Sequence, residues 1–318
     1  MRLRVDDVGE FGVIDRIISL ISGPESPYGM GDDCALIELG EEGIAITTDM
    51  MAQETDVPPG MKPWQIGWYA VAINLSDLAS KGARPIAFLS SVGMPPETPL
   101  SFVDEIYGGM KMCCDKYSCY IAGGDTNSNK NLVISGTAVG RIRRGNFIQR
   151  KGARRGDVVA VTGELGLAAV GLDVLLSHKE MVDKRTVDAL LTPEPRVNEG
   201  VYLAENHLCS ASMDMSDGLA SSLYQLSRAS GVGIEILFDA LPIAPEVREY
   251  ARSGEELERF VLYTGGDFQL LLTMSEDSFR SAEKVIDIKR IGTIVDKGVH
   301  IRTDGSLRAL KDSGYSHF

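Results

Sequence analysis

Carboxylates are the residues of this sequence whose type and spacing could do chemistry. They lie at or near the ends of apolar segments, or inside one, at Asp32, Asp33, Asp49, Asp77, Asp125, Asp214 and Asp217. In the stretch Gly123-Gly124-Asp125-Thr126, the apolar run Tyr120–Ala122 ends in two glycines and an acid. Glycine lets a backbone approach a ligand closely, and the N–H groups of such a turn can face a phosphate. We therefore predict a buried strand that delivers Asp125 to an exposed turn, around which the site is organised.

The number of acids indicates a metal site. The formal net charge is −13 and the pI is near 4.9, so the surface repels nucleic acid, anionic membranes and free nucleotides. Acids that bind phosphates must then act through divalent cations, and the four histidines favour oxygen-bound Mg²⁺ over zinc. No Ser/His/Asp or Cys/His triad is evident in the sequence. Phosphoryl transfer, which needs metals and positioning but no protein nucleophile, is the favoured chemistry.

One predicted helix must position part of this site. Residues 64–81 have helical periodicity and are followed by Gly82, and Asn74 and Asp77 share a face of this otherwise apolar segment. A buried carboxylate needs a cation or a hydrogen-bond network, which makes Asp77 a candidate ligand. The alternative is an ordinary solvated helix face.

The remaining pattern predicts a mixed α/β chain. Helices are expected over residues 11–23, 99–117, 167–177, 197–205, 223–229, 246–252 and 279–285. Strands are expected over residues 34–37, 44–49, 86–93, 132–142, 158–161, 212–215, 234–238, 260–263, 268–273 and 289–295. Residues 52–63 read as a loop and 303–306 as a hairpin turn. The motifs GxGxxG and GxxxxGK[ST] are absent, so neither a dinucleotide fold nor a P-loop is supported.

Length and cysteine usage narrow the class further. The 318 residues suffice for two domains, and no apolar run approaches the roughly 20 residues that cross a bilayer. The N-terminus does not resemble a signal peptide. The five cysteines have neither a disulfide framework nor a zinc spacing, so they are predicted to be small core residues in a reducing cytoplasm.

Eight motifs in order resemble those of the thiamine-monophosphate kinases. They are Gly31–Ala35, Thr47–Asp49, Ala72–Ala79, Gly123–Thr126, Thr162–Gly166, Asp214–Leu219, Gly265–Phe268 and Gly314–Phe318. The resemblance covers nearly the whole chain and implies the fold of a superfamily that includes aminoimidazole-ribonucleotide synthetase. Residues 1–150 would form an ATP- and Mg²⁺-binding domain whose sheet dimerises into a barrel. Residues 151–318 would form a C-terminal α/β domain that covers the cleft.

The same resemblance implies roles for particular residues. The implied ligands of several Mg²⁺ ions are Asp33, Thr47, Thr48, Asp49, Asp77, Asp125, Asp214 and Asp217. The implied ATP contacts are Tyr107, Gly124, Asp125, Arg150 and Ser216. The implied reaction transfers the γ-phosphate of ATP to thiamine monophosphate and gives thiamine diphosphate. Because the acceptor oxygen is already anionic, no catalytic protein base or nucleophile is expected, and alignment with charge neutralisation would suffice.

Three expected substrate-binding positions depart from the family pattern. Asp56 stands where many bacterial members carry a histidine, Gly266 where they carry a glutamate, and Asp312 where a tryptophan is expected. The resemblance further implies a homodimer with small-molecule substrates, ATP and thiamine monophosphate, and no nucleic-acid or membrane partner. Two other interpretations stay open: another ATP-dependent synthetase of this fold, and a non-catalytic nucleotide- or metal-binding protein.

Overall fold

The computed structural model describes residues 4–21, 30–177 and 183–316, and within them two sheets are packed with helices. The helices are α1 (Val5–Ile21), α2 (Gln53–Asp56), α3 (Pro63–Ser80), α4 (Leu100–Lys116), α5 (Leu167–Ser177), α6 (Lys184–Leu191), α7 (Val197–Glu205), α8 (Leu219–Ser230), α9 (Pro245–Tyr250), α10 (Gly254–Glu258) and α11 (Glu276–Ala282). The strands are β1 (Ala35–Leu39), β2 (Glu42–Ala52), β3 (Arg84–Met94), β4 (Tyr120–Ser128), β5 (Val133–Arg143), β6 (Val158–Thr162), β7 (Ala211–Asp214), β8 (Gly233–Leu237), β9 (Leu270–Met274), β10 (Ile288–Val295), β11 (Val299–Thr303) and β12 (Ser306–Ala309). The predicted mixed α/β class is confirmed.

The N-terminal sheet has five strands in the order β1-β2-β5-β3-β4. Its neighbours are antiparallel except for the parallel pair β3 and β4. Alternate residues of β5, such as Ile134 and Ala138, are buried, whereas Val133 and Val139 on the other face are only half-buried. This period of two is typical of a sheet with helices on one face, here the face against α3.

The C-terminal sheet has seven strands in the order β12-β11-β8-β10-β6-β9-β7. All its neighbours are antiparallel except β8 and β11. Strands β6 and β9 are buried along their whole length, which explains their continuous apolar sequences. Thr303 pairs with Ser306 across a two-residue loop, so the predicted hairpin is confirmed.

Helix α3 lies between the two sheets and packs against α4, α7 and β7. Glycines permit these close approaches: a Cβ atom on Gly109 would lie 1.8 Å from the carbonyl oxygen of Trp64, and one on Gly200 would lie 1.9 Å from that of Ala79. The indole Nε1–H of Trp68 also donates to the carbonyl oxygen of Pro193, in the C-terminal half of the chain, at 2.9 Å. The helix is therefore held from both sides.

The prediction of a turn at Gly123–Thr126 is wrong. Strand β4 continues through these residues to Ser128, and it is an almost wholly exposed edge strand. A Cβ atom on Gly124 would lie 2.1 Å from the carbonyl oxygen of Ser90 in the neighbouring strand. Close pairing with β3 therefore requires a glycine at position 124. The adjacent Gly123 and Gly124 do not mark a turn.

The prediction of a strand at residues 260–263 is also wrong. Residues Arg259–Tyr263 are π-helical and continue from α10. A short, fully buried apolar run looks alike in a strand and in a helix, so periodicity could not separate them. Helix α6 was not predicted, and α2 forms one turn inside the predicted loop. The predicted end of the first helix at Gly23 lies outside the described residues, as do the last two residues of the C-terminal motif.

The cysteines lie where the prediction of a packing role puts them. Cys34, Cys113, Cys114 and Cys119 are buried and Cys209 is half-buried, and no disulfide joins cysteines in the described ranges. Burial raises the pKa of the Cys113 thiol well above its usual range. Among the described residues, no helix combines the length and apolar character needed to span a membrane.

Candidate active site

The second half of α3 carries polar side chains that reach the acid-bearing strand β2. Asn74 is fully buried, and its Oδ1 accepts a hydrogen bond from the backbone N–H of Asp49 at 3.1 Å. The hydroxyl of Thr47 donates to Oδ2 of Asp77 at 2.5 Å. Because residues 74 and 77 lie on one side of the helix, this face orders the middle of β2, a strand that continues three residues beyond Asp49.

Two serines of α3 reach acids on other segments. Ser76 Oγ donates to Oδ2 of Asp214 at 2.7 Å, at the end of β7 in the C-terminal sheet. Ser80 Oγ donates to Oδ2 of Asp33 at 2.6 Å, in the segment before β1. Helix α3 therefore contacts three separate acidic segments, and it, rather than the stretch at Gly123–Thr126, is the centre of the arrangement.

Three carboxylates meet beside this helix. One oxygen from each of Asp33, Asp77 and Asp214 lies within 4.8 Å of the others, and we call these three residues the acidic group. Burial and neighbouring carboxylates raise the pKa of Asp77 well above its usual value and that of Asp214 to about 7. Burial, with the charges of Asp33 and Asp217, raises the pKa of Asp49 to about 6. Acids crowded in this way are typical of a site that receives a cation.

Asp33 differs from the other two acids because protein cations already contact it. Its carboxylate pairs with Arg150 Nη2 and, at 2.9 Å, with Lys81 Nζ. Burial would raise the pKa of Asp33, but Lys81 and Arg150 hold it well below its usual range. Lys81 was not predicted as a site residue, since a lysine at the end of a helix normally points to solvent.

Arg150, a predicted ATP contact, is anchored beside the acidic group. Its backbone N–H donates to Oδ2 of Asp32 at 2.9 Å, and its Nη1 donates to Oε1 of Gln225 at 2.9 Å. The Nε atom is buried and has no hydrogen-bond partner among the described residues. A buried donor in this state costs free energy until water or a ligand satisfies it.

Five predicted metal ligands lie outside the acidic group, namely Thr47, Thr48, Asp49, Asp125 and Asp217, and two of them, Thr48 and Asp125, are exposed. Thr48 is exposed on the opposite face of β2 from Thr47, and its hydroxyl donates to the carbonyl oxygen of Gly136 at 2.7 Å. Asp125 is exposed in β4, where it pairs in register with Ser91. The alternation of side chains along β2 separates Thr48 from the acids, so its hydroxyl does not belong to the ligand set that we propose below.

The remaining predicted nucleotide positions lie on helix α4, on strand β4 and in the loop after β7. The OH group of Tyr107 lies 3.4 Å from Ser90 Oγ, and Ser90 pairs in register with Gly124. The backbone N–H of Gly266 donates to the carbonyl oxygen of Ser216 at 2.8 Å. Gly266 has a φ of 98°, a backbone conformation that favours glycine, so a larger side chain there would be strained.

Two tyrosines, Tyr69 and Tyr315, lie near the predicted substrate position Asp56. Burial raises the pKa of Tyr69 well above its usual value, and the nearby carboxylate of Asp56 adds to the shift. Burial and then Asp56 also raise the pKa of Tyr315. The ring of Phe268 meets that of Tyr69 edge-on at a centroid distance of 5.8 Å. Tyr69 was not predicted as a site residue, because α3 reads as apolar, and Phe268 and Tyr315 lie in two of the quoted motifs but were given no role of their own.

Two further acids have local partners. Asp312 forms an exposed ion pair with Arg228 at 2.8 Å, and its role in substrate binding stays a prediction. Asp267 accepts hydrogen bonds from the backbone N–H groups of Gly166 and Ala168, at 2.7 and 3.1 Å, at the start of α5. Burial raises the pKa of Asp267 to about 6. This position supports a role for Asp267 in capping the N-terminus of α5. The sequence around Asp267 did not predict this role.

Comparisons with known proteins identify the family. The chain matches the model of the AIR synthase related protein, N-terminal domain, over residues 31–142, and that of the C-terminal domain over residues 154–304. It is 40% identical to a thiamine-monophosphate kinase of Methanospirillum hungatei, over 90% of this chain and 92% of that protein. It is 32% identical to the thiamine-monophosphate kinase of Aquifex aeolicus, over 99% of this chain and all of that protein.

Solved structures give the same result. A structure described as "AaThiL complexed with AMPPCP and TMP" has a TM-score of 0.90, 31% identity and full coverage of both chains. The hydrogenase maturation protein HypE of E. coli, at 20% identity, has a TM-score of 0.72 over 94% of this chain and 96% of that one, and it shows the shared fold alone. By its sequence relatives over nearly the full length and by its fold, the chain belongs to the thiamine-monophosphate kinase family of AIR synthase related proteins.

Proposed function

We propose that the protein transfers the γ-phosphate of ATP to the phosphate of thiamine monophosphate and so produces thiamine diphosphate. The observation that carries this proposal is the meeting of Asp33, Asp77 and Asp214, from both halves of the chain, within 4.8 Å. A reaction between two phosphate groups needs positive charge between them, and buried carboxylates are suited to supplying it through bound cations. The names of the relatives and the fold support the same reaction.

The donor set fits Mg²⁺. Its members are hard carboxylate and hydroxyl oxygens. Burial, and then neighbouring carboxylates, raise the pKa values of Asp77, Asp214 and Asp49, and a divalent ion would favour the charged form of all three. We infer that these three acids and Thr47 hold Mg²⁺, with Asp33, Asp217 and Asp125 as further proposed ligands. Bound Mg²⁺ would neutralise phosphate charge as it develops.

The chain's own groups would orient the reactants rather than attack them. The guanidinium of Arg150, fixed by Asp33 and Gln225, would lie beside the phosphates and favour one orientation of them. Tyr107, Gly124 and Ser216 are the other proposed ATP contacts. No protein base is invoked, because the acceptor oxygen is already ionised, and the rate would come from alignment in a charge-matched site.

The two tyrosines near Asp56 support a cationic acceptor. Thiamine monophosphate carries a positively charged thiazolium ring, and a carboxylate with tyrosine faces nearby favours such a ring. Oδ2 of Asp56 accepts a hydrogen bond from the N–H of Ala52 at 2.8 Å, which fixes the carboxylate. We propose that Asp56, Tyr69 and Tyr315 contact the thiamine portion, with Gly266 nearby.

The decisive experiment measures thiamine diphosphate formation by chromatography with ATP, Mg²⁺ and either thiamine monophosphate or thiamine. We expect product from the monophosphate only, because the acceptor must bring a phosphate to the metal site. Asp56→Ala should raise the KM for thiamine monophosphate about tenfold and leave that for ATP unchanged. The matched control is Glu54→Ala on the same turn, whose carboxylate contacts Asn131 at the surface. ATP binding by calorimetry without any product would refute the proposed acceptor.

We further propose that the protein is a homodimer formed through the outer sheet face. This face, opposite α3, comprises Ile37, Ile44, Ile46, Met50, Leu89 and Val139. Ile37, Met50 and Leu89 are 50%, 67% and 37% exposed. The same face also carries Thr48 and Thr137. Its exposed apolar side chains nevertheless favour burial against a second copy, and two such open sheets could close into a barrel.

The domain division at residue 150 is proposed on the same basis. Strands β1 to β5 end at Arg143, and strands β6 to β12 begin at Val158, so each half of the chain builds its own sheet. The boundary then falls in the basic connector between them. The cytoplasmic location expected from the free cysteines stays a prediction.

A further inference from the structure

Lys81 is the fully buried ammonium group at the end of α3. Its side chain is 0% exposed, and Nζ lies 2.6 Å from Oδ1 of Asp32, 2.9 Å from Oδ2 of Asp33 and 2.7 Å from the carbonyl oxygen of Ser212. An ammonium group has three hydrogens to donate, so these three oxygens can use all of them. Burial alone would lower the pKa of Lys81, but the two carboxylates more than offset this and raise it. The side chain therefore stays positively charged.

The three oxygens belong to segments that meet at the acidic group. Asp32 and Asp33 lie before β1, and Ser212 lies in β7, two residues before Asp214. Asp77 is one helical turn before Lys81 in α3. One ammonium thus joins the segments that supply all three acids, while Asp33 alone of the acidic group contacts it directly.

We propose that Lys81 is a positioning residue: a cation built into the chain whose charge offsets the repulsion among the neighbouring acids and so keeps the metal-free site together. The same charge opposes the binding of a divalent cation nearby. This inference rests on the proposed function of the acidic group as a Mg²⁺ site. It differs from a packing role, because a packing role needs the shape of the side chain and not its charge.

A role in packing and a role through charge predict different effects on Mg²⁺ affinity. If Lys81 only packs, a replacement of similar length leaves the affinity unchanged, or weakens it if the replacement distorts the site. If Lys81 acts through its charge, removing it leaves Asp32 without its partner ammonium and Asp33 with Arg150 as its one remaining cation among the described residues. The metal-free protein then becomes less stable, and the attraction for a divalent ion increases.

The test is Lys81→Met, which keeps the length of the side chain and removes the charge. Thermal unfolding and calorimetric titration with Mg²⁺ alone, without nucleotide or thiamine monophosphate, provide readouts independent of activity. We expect a lower melting temperature without metal, a larger rise when Mg²⁺ is added, and Mg²⁺ affinity about tenfold tighter than in the wild type. The matched control is Arg84→Met, which removes a surface ion pair with Glu205 that also links the two halves and should leave Mg²⁺ affinity unchanged.

A folded Lys81→Met protein with unchanged or weaker Mg²⁺ affinity would overturn the role of Lys81 alone. A wild-type protein that binds no Mg²⁺ would overturn the proposed metal site and this inference with it. If Lys81→Met does not fold, Asp32→Asn carries the test. This variant removes one of the two carboxylates beside Lys81, so the ammonium repels Mg²⁺ more strongly. The Mg²⁺ affinity should fall about tenfold, whereas an unchanged affinity would refute the inference.

Discussion

At the scale of single residues, neighbouring acids of the site lie in different electrostatic environments, which shift their pKa values in opposite directions. Asp33 contacts two protein cations, whereas Asp77 and Asp214 accept hydrogen bonds from the hydroxyls of Thr47 and Ser76. A hydroxyl stabilises a carboxylate far less than a cation does, so burial dominates and raises the pKa of the latter two. Asp33 is therefore ionised throughout the physiological range, and the other two would gain their full charge on binding the proposed cation.

Asp77→Asn should abolish most of the activity without unfolding the protein. The amide keeps the size of the side chain and can still accept from Thr47, but it removes the charge that would hold Mg²⁺ and phosphate together. We expect kcat to fall at least about a hundredfold and the Mg²⁺-induced rise in melting temperature to shrink. Asp115→Asn, in an exposed pair with Lys111, is the control and should behave like the wild type. Near-normal kcat in Asp77→Asn would contradict the metal site.

The pH dependence of stability should have an unusual sign in metal-free protein. In an unfolded chain aspartates lose their protons near pH 3.9, whereas folded Asp49 and Asp214 keep theirs to about 6 and 7. The folded state binds more protons between these values, so the stability these groups contribute is fully present below about pH 4 and lost as the pH rises through 7.

Mg²⁺ competes with the same protons, so its stabilising effect should grow as the pH rises from about 5 to about 8. Melting temperatures measured across this range, with a chelator or with saturating Mg²⁺, provide the check. In Asp214→Asn the metal-free dependence should become shallower. An Mg²⁺ effect that is equally large at both ends of the range would show that these acids do not bind the ion.

The site residues that could be predicted from the sequence are charged residues within, or at the end of, apolar segments. An acid inside an apolar helix, such as Asp77, or at the end of an apolar strand, such as Asp214, must be explained by a partner. Lys81 and Tyr69 do not conflict with a helix pattern, because lysine is common at helix ends and tyrosine is common in amphipathic helices. Their roles depend on segments far away in the sequence, and only the tertiary structure brings those segments together.

At the scale of elements, α3 is fixed by backbone contacts that only glycine allows. Gly109 in α4 lies against the carbonyl oxygen of Trp64, whereas a Cβ atom on its neighbour Gly108 would meet nothing within 4 Å. The sequence shows two equivalent glycines here, as it does at Gly123 and Gly124. Which glycine is required is decided by the packing partner, so patterns along one chain segment cannot reveal it.

Gly109→Ala should therefore destabilise the protein and Gly108→Ala should not. The added methyl group of Gly109→Ala collides with the backbone of α3, so it must separate the two helices at a cost of about 1–3 kcal/mol. Gly108→Ala lies on the exposed side of the helix and should gain about 0.5–1 kcal/mol from reduced backbone freedom in the unfolded chain. Chemical denaturation of both variants measures the difference. Equal free energies of unfolding would show that α3 and α4 are not in close contact.

At the scale of the whole molecule, the outer sheet face is the proposed contact between two copies. Met50→Lys should give a monomer in analytical ultracentrifugation, because a lysine buried in an apolar interface costs several kcal/mol without a partner. Met112→Lys, at a similarly exposed position on α4, is the control and should remain a dimer. A monomeric wild-type protein, or a Met50→Lys variant that stays dimeric, would contradict the proposed interface.

The many contacts of α3 make the length of this helix a constraint of its own. Asn74, Ser76, Asp77, Ser80 and Lys81 together contact three separate segments, so all five contacts depend on the same rotation of the helix about its axis. A single residue inserted upstream in the helix would turn all five by about 100° and shift them by about 1.5 Å. No single substitution elsewhere could compensate for that rotation. Insertions and deletions among related sequences should therefore occur in the connector between the two sheets and not within the segment that corresponds to residues 63–81.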